Sequence, residues 1–246
     1  MKRVPAPGAR IVLTEDQQAI DTSLLSFTVS PHEECAVEEA VRIAESTSGT
    51  VTVLTLGPPE AEDQLRSSLA VGADEAVLVP TDDSDWDPIS TAFAIVDAIG
   101  QLEAEKGAFD IILFGNESAD AGGYQVGIRV AHRLGRPVVS GIKGIEVEEG
   151  SVRLRRDTAM GSEVYRLPLP AVIAVREGIN LPRYPTLKGR LNAKKVEVQR
   201  IEEDRVGSGQ AMVRLVTPAQ EVSETTILGG ASAVVDVLEE LQVVRK

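Results

Sequence analysis

The sequence predicts an α/β fold: a mostly parallel, doubly wound sheet with helices on both faces, an added antiparallel portion and a C-terminal arm. Three observations carry this. Short β-branched runs alternate with helical periodicity through the first half of the 246-residue chain. Aromatics make up only 3% of residues and hydrophobics 43%, so the core is built from Val, Ile, Leu and Ala, the material of buried parallel strands. After Gly135 strand-like segments follow one another across glycine-bearing turns, which is the chemistry of a meander. The length suits an α/β domain over residues 1–200 and an arm over 201–246.

Ser30-Pro31-His32-Glu33 reads as a helix start, with Ser at the N-cap, Pro at N1 and Glu at N3 as a capping box. Val37, Ala40, Val41 and Ala44 then form an inward face, and Gly49 closes the helix. Residues 50–56 (T-V-T-V-L-T-L) are a strand ending at Gly57-Pro58-Pro59. A helix near residues 60–71 places Leu65 and Leu69 inward and stops at Gly72. Residues 76–79 make a short strand, 81–87 an acidic loop, and 88–106 a long helix ended by Gly107. The run D-I-I-L-F (110–114) is a strand expected to be buried on both faces. Strands and helices alternating at these lengths imply right-handed crossovers and a parallel sheet.

Residues 137–147, 151–156, 163–167 and 171–176 are read as successive strands. Beyond Val198 the pattern weakens: 201–210 is a linker, 212–216 a short strand, and Val234, Leu238 and Leu241 mark a terminal helix. That helix either grips a partner or packs on its own domain.

Composition excludes several functions. The net charge of −13 opposes nucleic-acid binding, which needs a basic face. A lone Cys35 rules out an internal disulfide and reads as a small buried hydrophobe, and two histidines give no metal centre. No apolar run reaches about 18 residues and no signal-peptide pattern opens the chain, so the reading is a soluble, cytoplasmic protein, not an integral membrane one.

In an open parallel sheet, ligands sit beyond the carboxyl ends of the strands. Three loops occupy such places: residues 30–33, 56–59 and 115–127. The last, G-N-E-S-A-D-A-G-G-Y-Q-V-G, leaves a strand and enters a helix, so its glycines and the helix N-terminus suit a phosphate. Ser118 and Tyr124 add hydroxyls, while Asn116 and Gln125 can read a base edge or ribose. A ligand-free strand-to-helix turn explains the same loop equally well. Neither a GxGxxG spacing nor a Walker lysine is present. Glu117 and Asp120 lack a neighbouring nucleophile, so no catalytic set is assigned.

The segment V-R-E-G-I-N-L-P-R-Y-P-T-L-K-G-R-L-N-A-K-K (175–195) follows an apolar strand and displays arginine, tyrosine and leucine on a proline-stiffened loop, the composition of an interaction surface. From the residues alone, Leu187 either anchors a partner or tucks into its own domain.

With this segment added, the chain closely resembles the β subunit of electron transfer flavoprotein. The matching stretches are C-A-V-E-E-A-V-R-I-A-E (35–45), A-V-G-A-D-E-A-V (70–77), G-N-E-S-A-D-A-G-G-Y-Q-V-G (115–127) and L-P-A-V-I-A-V-R-E-G-I-N-L-P-R-Y-P-T-L-K-G-R-L-N-A-K-K (169–195). The resemblance implies an electron carrier subunit, not an enzyme, paired with an α subunit that holds FAD. Electrons would pass from acyl-CoA-type dehydrogenases to a quinone-linked oxidoreductase. It implies a structural AMP in this subunit, or a second, redox-active FAD in the bifurcating branch of the family. A stress-protein-type adenine-nucleotide regulator is a distant rival. The nucleotide residues would be Ser30, Pro31, His32, Glu33, Leu56, Asn116, Glu117, Ser118, Ala119, Asp120, Ala121, Gly122, Gly123, Tyr124, Gln125, Val126 and Gly127. The recognition loop at 176–195 would dock dehydrogenases through Leu187, shaped by Arg183, Tyr184 and Pro185, with Lys194 and Lys195 ending its basic helix. The arm would contact the α subunit.

Two features depart from the family's pattern. Its members open on an apolar strand before a K-x-V-P-like segment, whereas Met1-Lys2-Arg3-Val4-Pro5 stands at that segment already; a strand of roughly five to seven residues is expected ahead of it. The P-A-P-G after Val4 also replaces an acidic residue followed by Tyr or Thr near the flavin. The 115–127 loop keeps the family's Gln without either branch's fuller pattern, and AMP is favoured over FAD.

Overall fold

A computed structural model describes residues 1–82, 86–206, 210, 212–218 and 227–244. Its described elements run β1 (Arg3–Pro5), β2 (Phe27–Val29), α1 (Pro31–Thr47), β3 (Thr52–Gly57), α2 (Glu62–Val71), β4 (Glu75–Pro80), α3 (Pro88–Lys106), β5 (Ile111–Gly115) and α4 (Val126–Leu134). They continue with β6 (Val138–Ile142), β7 (Gly144–Glu148), β8 (Ser151–Thr158), β9 (Gly161–Pro168), β10 (Ala171–Val175), α5 (Leu187–Ala193), β11 (Val198–Arg200) and α6 (Ala231–Glu240).

The parallel strands fall into two groups of three, ordered β11-β4-β3 and β5-β10-β6. Helices cover both faces, as the βαβ rhythm requires. Alternation along β4 shows it: Ala76 and Leu78 pack with Val41 of α1 and Leu65 and Leu69 of α2, while Val77 and Val79 pack with Ala94, Ala98 and Leu102 of α3. In the second group, Ile173 and Val175 meet Cys35 and Ala36 of α1. Among the described residues no helix is long and apolar enough to cross a membrane.

Several local expectations change. The left-handed residue ending α1 is Ser48, at φ 58°, one position before Gly49. The predicted strand 137–147 is two strands, broken at Lys143, with Gly141 at φ 76° just before the break. Segment 171–176 is not part of the meander: β10 lies between β5 and β6, parallel to both, and every one of its residues is buried. The antiparallel strands β7, β8 and β9 form a sheet of their own. Residues 198–200, read as the end of the domain, add β11 to the edge of β4, and Ile201 after them is buried. Residues 212–216 form no strand where described; Leu215 N–H bonds to Gln17 C=O. The terminal helix exists as α6, with no buried residue. Parts of the acidic loop (83–85) and of the linker (207–209) lie outside the described residues.

The strand expected to be buried on both faces, β5, is half-buried along its whole length. The cause is topological: β3 and β5 are not hydrogen-bonded to each other, and a cavity of about 440 Å³ runs between them.

Helix α5 reaches the body through close contact with α2. A Cβ at Gly189 would collide with the Ala70 carbonyl oxygen, a backbone atom that cannot rotate away. Gly189→Ala is therefore expected to lower stability by about 1–3 kcal/mol. Gly100→Ala, in the middle of α3 with open space around it, is expected to raise it by about 0.5–1 kcal/mol. Urea midpoints of the two variants moving in the same direction would contradict this packing.

Candidate functional site

The carboxyl end of β5 and the N-terminus of α1 meet because residue 115 is glycine. A Cβ there would lie 2.5 Å from Glu33 Cγ and 3.1 Å from Glu33 N. That close approach brings the first turn of α1 against the loop leaving β5, and the predicted residues 30–33 and 116–127 come together. Asn116 N–H donates to Val175 C=O at 2.8 Å, which ties the loop's root to β10.

Ser30 sits at the N-cap and Pro31 at N1, but the serine side chain does not cap the helix. Its hydroxyl lies 3.3 Å from Glu117 C=O, a tie to the 116–127 loop, so only the Glu33 half of the expected capping box remains, with the Glu33 carboxylate accepting from Ser30. His32 makes a second tie: Nε2 lies 3.2 Å from Glu117 Oε1, and Nδ1 accepts the Glu177 N–H at 2.8 Å. Both imidazole nitrogens are thereby engaged. Lys2 Nζ pairs with Asp120 Oδ2 at 2.6 Å. The Asp120 carboxylate also accepts the Ala121 N–H, and Gly122 N–H bonds to Ser118 C=O.

Glu33 is the buried acid of the site. Burial pushes its pKa up, offset in part by the Met1 ammonium and by hydrogen bonds from Ser30. Its Oε2 has no hydrogen-bond partner, an orphaned acceptor in a buried place. Burial also pushes the Asp120 carboxyl up, but the hydrogen bond and charge of Lys2, with help from Ser118 and the Ala121 N–H, hold it below the usual aspartate range. The Tyr124 phenol is raised, first by its hydrogen bond to Glu117. Both loop carboxylates therefore have partners, which limits the negative charge that the loop offers to an anion.

Residues Ala119, Asp120, Ala121, Gly122, Gly123, Tyr124 and Gln125 are all exposed. Gly122 and Tyr124 are left-handed, each at φ 54°, which places two turned residues in the backbone just ahead of α4. No side chain caps α4, so its first N–H groups remain available to a ligand. Gly127 has Phe114 behind it: a Cβ would approach Phe114 Cγ to 3.0 Å. The Gln125 amide oxygen is occupied by Arg129. Leu56 is the next-to-last residue of β3, and its side chain packs in the core with the clusters that hold Ala94 and Ile95.

The second predicted site is held by the same helix. Arg183 donates to Glu38 and Glu45 of α1, with Nε 2.9 Å from Glu38 Oε2 and Nη1 2.6 Å from Glu45 Oε1. Its backbone N–H also bonds to Glu38. The two carboxylates, Glu45 first, raise the guanidinium pKa further, and Arg183 in turn lowers that of Glu45. Asn180 Nδ2 bridges Cys35 C=O and Glu39 Oε2. Beyond this clamp, Pro185 leads to Thr186, which caps α5 through the Gly189 N–H. Leu187 is 75% exposed and Tyr184 94% exposed, so neither is tucked into the domain. Lys194 is the C-cap of α5 and Lys195 follows it.

Glu38, Glu39, Glu45, Asn180 and Lys2 escaped the sequence reading. One signal was present: Glu38 and Glu45 are seven apart and share a helix stripe, and Glu38 lies beside the inward-facing Val37. Among the described residues no group of three or more metal-ligating side chains occurs.

The family described as "Electron transfer flavoprotein domain" matches residues 20–206. The chain is 35% identical to a protein of Mycobacterium tuberculosis strain H37Rv over 86% of its own length and 83% of the relative's. It is 34% identical to one of Bacillus subtilis, over 78% and 75%, and 37% identical to one of Syntrophomonas wolfei, over 71% and 67%. All three relatives carry the name electron transfer flavoprotein subunit beta.

Two outcomes follow from the geometry. Arg183→Met leaves the buried Glu38 carboxylate without its cation, and is expected to lower stability by on the order of 1–3 kcal/mol and to speed tryptic cleavage at Lys188 and Arg190. Unchanged stability and cleavage would refute the clamp. The Asp120 pKa is depressed on folding, so the Lys2 pair contributes above the unfolded value and is lost as pH falls through the folded one. The stability difference between the native chain and Lys2→Ala should be constant above about pH 5 and shrink below about pH 4. A difference that grows on acidification contradicts the pairing.

Proposed function

The chain belongs to the β-subunit family of electron transfer flavoproteins, and on that premise we propose that it holds AMP beyond the ends of β3 and β5. It pairs with an α subunit that carries FAD. It docks acyl-CoA-type dehydrogenases, whose electrons pass to the flavin and then to a quinone-linked oxidoreductase. The chain is a carrier subunit and supplies no catalytic group.

One observation supports the nucleotide reading most strongly: a glycine-bearing loop with a turned backbone and an uncapped helix lies beside a buried carboxylate with an orphaned oxygen. The chemistry of the two halves matches an adenine nucleotide. Backbone N–H groups at 123–127 and the positive end of α4 suit a phosphate. Glu33 Oε2 is an acceptor without a donor, and an exocyclic base amine supplies one. The remaining loop groups serve chiefly as internal ties through Ser30, His32, Glu117 and Asp120. AMP here is structural: it satisfies the buried acceptor and pins the loop.

The docking reading rests on Leu187. It stands exposed at the start of a capped helix, on a loop whose stem is held by Arg183. A leucine already ordered before binding loses little entropy on entering an apolar groove. Leu181 and Tyr184, which precede it on the same segment, are also exposed.

Denaturing release from the co-purified heterodimer should yield one AMP and one FAD. Two FAD and no AMP would overturn the AMP assignment in favour of a second flavin, and a flavin-free homodimer would overturn the carrier reading. Leu187→Ala should slow flavin reduction by a dehydrogenase roughly tenfold or more with flavin content unchanged. Unaltered reduction would remove Leu187 as the anchor.

A further inference from the structure

The loop that suits the phosphate carries two carboxylates, and their partners differ in charge. Asp120 meets a cation, with Lys2 Nζ 2.6 Å from its Oδ2. The donors that hold the Glu117 carboxylate are neutral. His32 Nδ1 accepts the Glu177 N–H at 2.8 Å, so the ring proton sits on Nε2, which lies 3.2 Å from Glu117 Oε1. The second donor is the Tyr124 hydroxyl. Such hydrogen bonds compensate a carboxylate for the water it loses on partial burial, but they do not cancel its charge.

Glu117 is also fixed in place. Its backbone C=O lies 3.3 Å from the Ser30 hydroxyl and its carboxylate is held by His32, so both parts of the residue are tied to the first turn of α1. Its Oε2 stands against the open face of Gly122, 3.8 Å from where a Cβ would be. Gly122 leads directly into the backbone at 123–127 and the positive end of α4, the stretch that suits a phosphate. Tyr124 holds a left-handed backbone at φ 54°, uncommon for an aromatic residue, and its hydroxyl reaches back to the same carboxylate. The positive charge of Arg176 acts on that phenol too, but more weakly than Glu117 does. One immobilised negative charge therefore stands at the edge of the phosphate position.

We propose that Glu117 sets the number of phosphoryl groups the site accepts: its fixed, uncancelled charge admits a nucleoside monophosphate and rejects a diphosphate or triphosphate. The inference rests on the nucleotide reading above and adds the residue that selects among adenine nucleotides. A monophosphate places its one anionic group against the backbone N–H groups and α4, where attraction offsets the repulsion. Each further phosphoryl group adds negative charge beside the same carboxylate, and one such repulsion across several ångströms of partly buried space amounts to about tenfold in affinity. Asp120 exerts no such selection, because Lys2 neutralises it.

The test titrates the nucleotide-depleted heterodimer calorimetrically with AMP, ADP and ATP, in native form and with Glu117→Gln and Glu117→Asp. The glutamine keeps the size and an acceptor oxygen but removes the charge, whereas the aspartate keeps the charge on a shorter side chain. The native complex should prefer AMP over ADP by about tenfold or more, and Glu117→Gln should cut that preference to about threefold or less by strengthening ADP. Glu117→Asp should retain the preference. A residue that served only as a structural tie would give the reverse order, with aspartate disturbing the site and glutamine sparing it. That reverse order, an unchanged preference in Glu117→Gln, or native binding of ADP as tight as that of AMP overturns the proposal and leaves a nucleotide site standing. Binding of none of the three by the native complex overturns the nucleotide reading and this selection with it. Should a variant fail to assemble, the native complex decides: its preference should narrow as ionic strength rises, and a preference indifferent to salt overturns the proposal.

Discussion

The approach of α1 to the end of β5 is the constraint on which both candidate sites depend. Gly115 allows it, since any Cβ would strike Glu33. With the helix seated there, Ser30 and His32 reach the 116–127 loop, and His32 also holds the Glu177 N–H at the root of the 176–195 segment. Farther along the same helix, Glu38, Glu39 and Glu45 fasten Asn180 and Arg183. One helix therefore positions the nucleotide loop with its first turn and the docking loop with its outer stripe. A displacement of α1 would disturb both at once.

The electrostatics follow from that seating. The chain carries a net charge of −13, and a phosphate site on such a protein must limit local repulsion. Asp120 is paired with Lys2, and Glu117 is bonded by His32 and Tyr124. Glu33 is held in the raised direction by burial. The three acids nearest the loop are each compensated or pushed toward neutrality, while the turned backbone at Gly122 and Tyr124 supplies the attractive field.

Sequence periodicity alone was enough to place α1, α2, α3, β3, β4 and β5, because each has a burial pattern and a glycine, proline or Ser48 near its end. The place of β10 was not legible. Its run L-P-A-V-I-A-V follows a meander in sequence, and only the tertiary fold shows that it returns between β5 and β6. β11 was missed because three residues at a sheet edge carry too little pattern. At the site, the glycine loop and the helix start were readable as chemistry. The ties among them were not, since Ser30, Glu117 and Lys2 are far apart in the chain. The clamp on Arg183 was half legible, in the seven-residue spacing of Glu38 and Glu45.

The central claim is that 30–33 and 116–127 form one nucleotide site organised by α1. Hydrogen exchange of the heterodimer, depleted of nucleotide and then titrated with AMP, tests it most directly. Protection should rise together at the amides of Glu33 and Glu34 and at Gly122 through Gly127, and spread weakly through His32 to Glu177. Protection confined to other parts of the chain, or none at saturating AMP, would contradict the account.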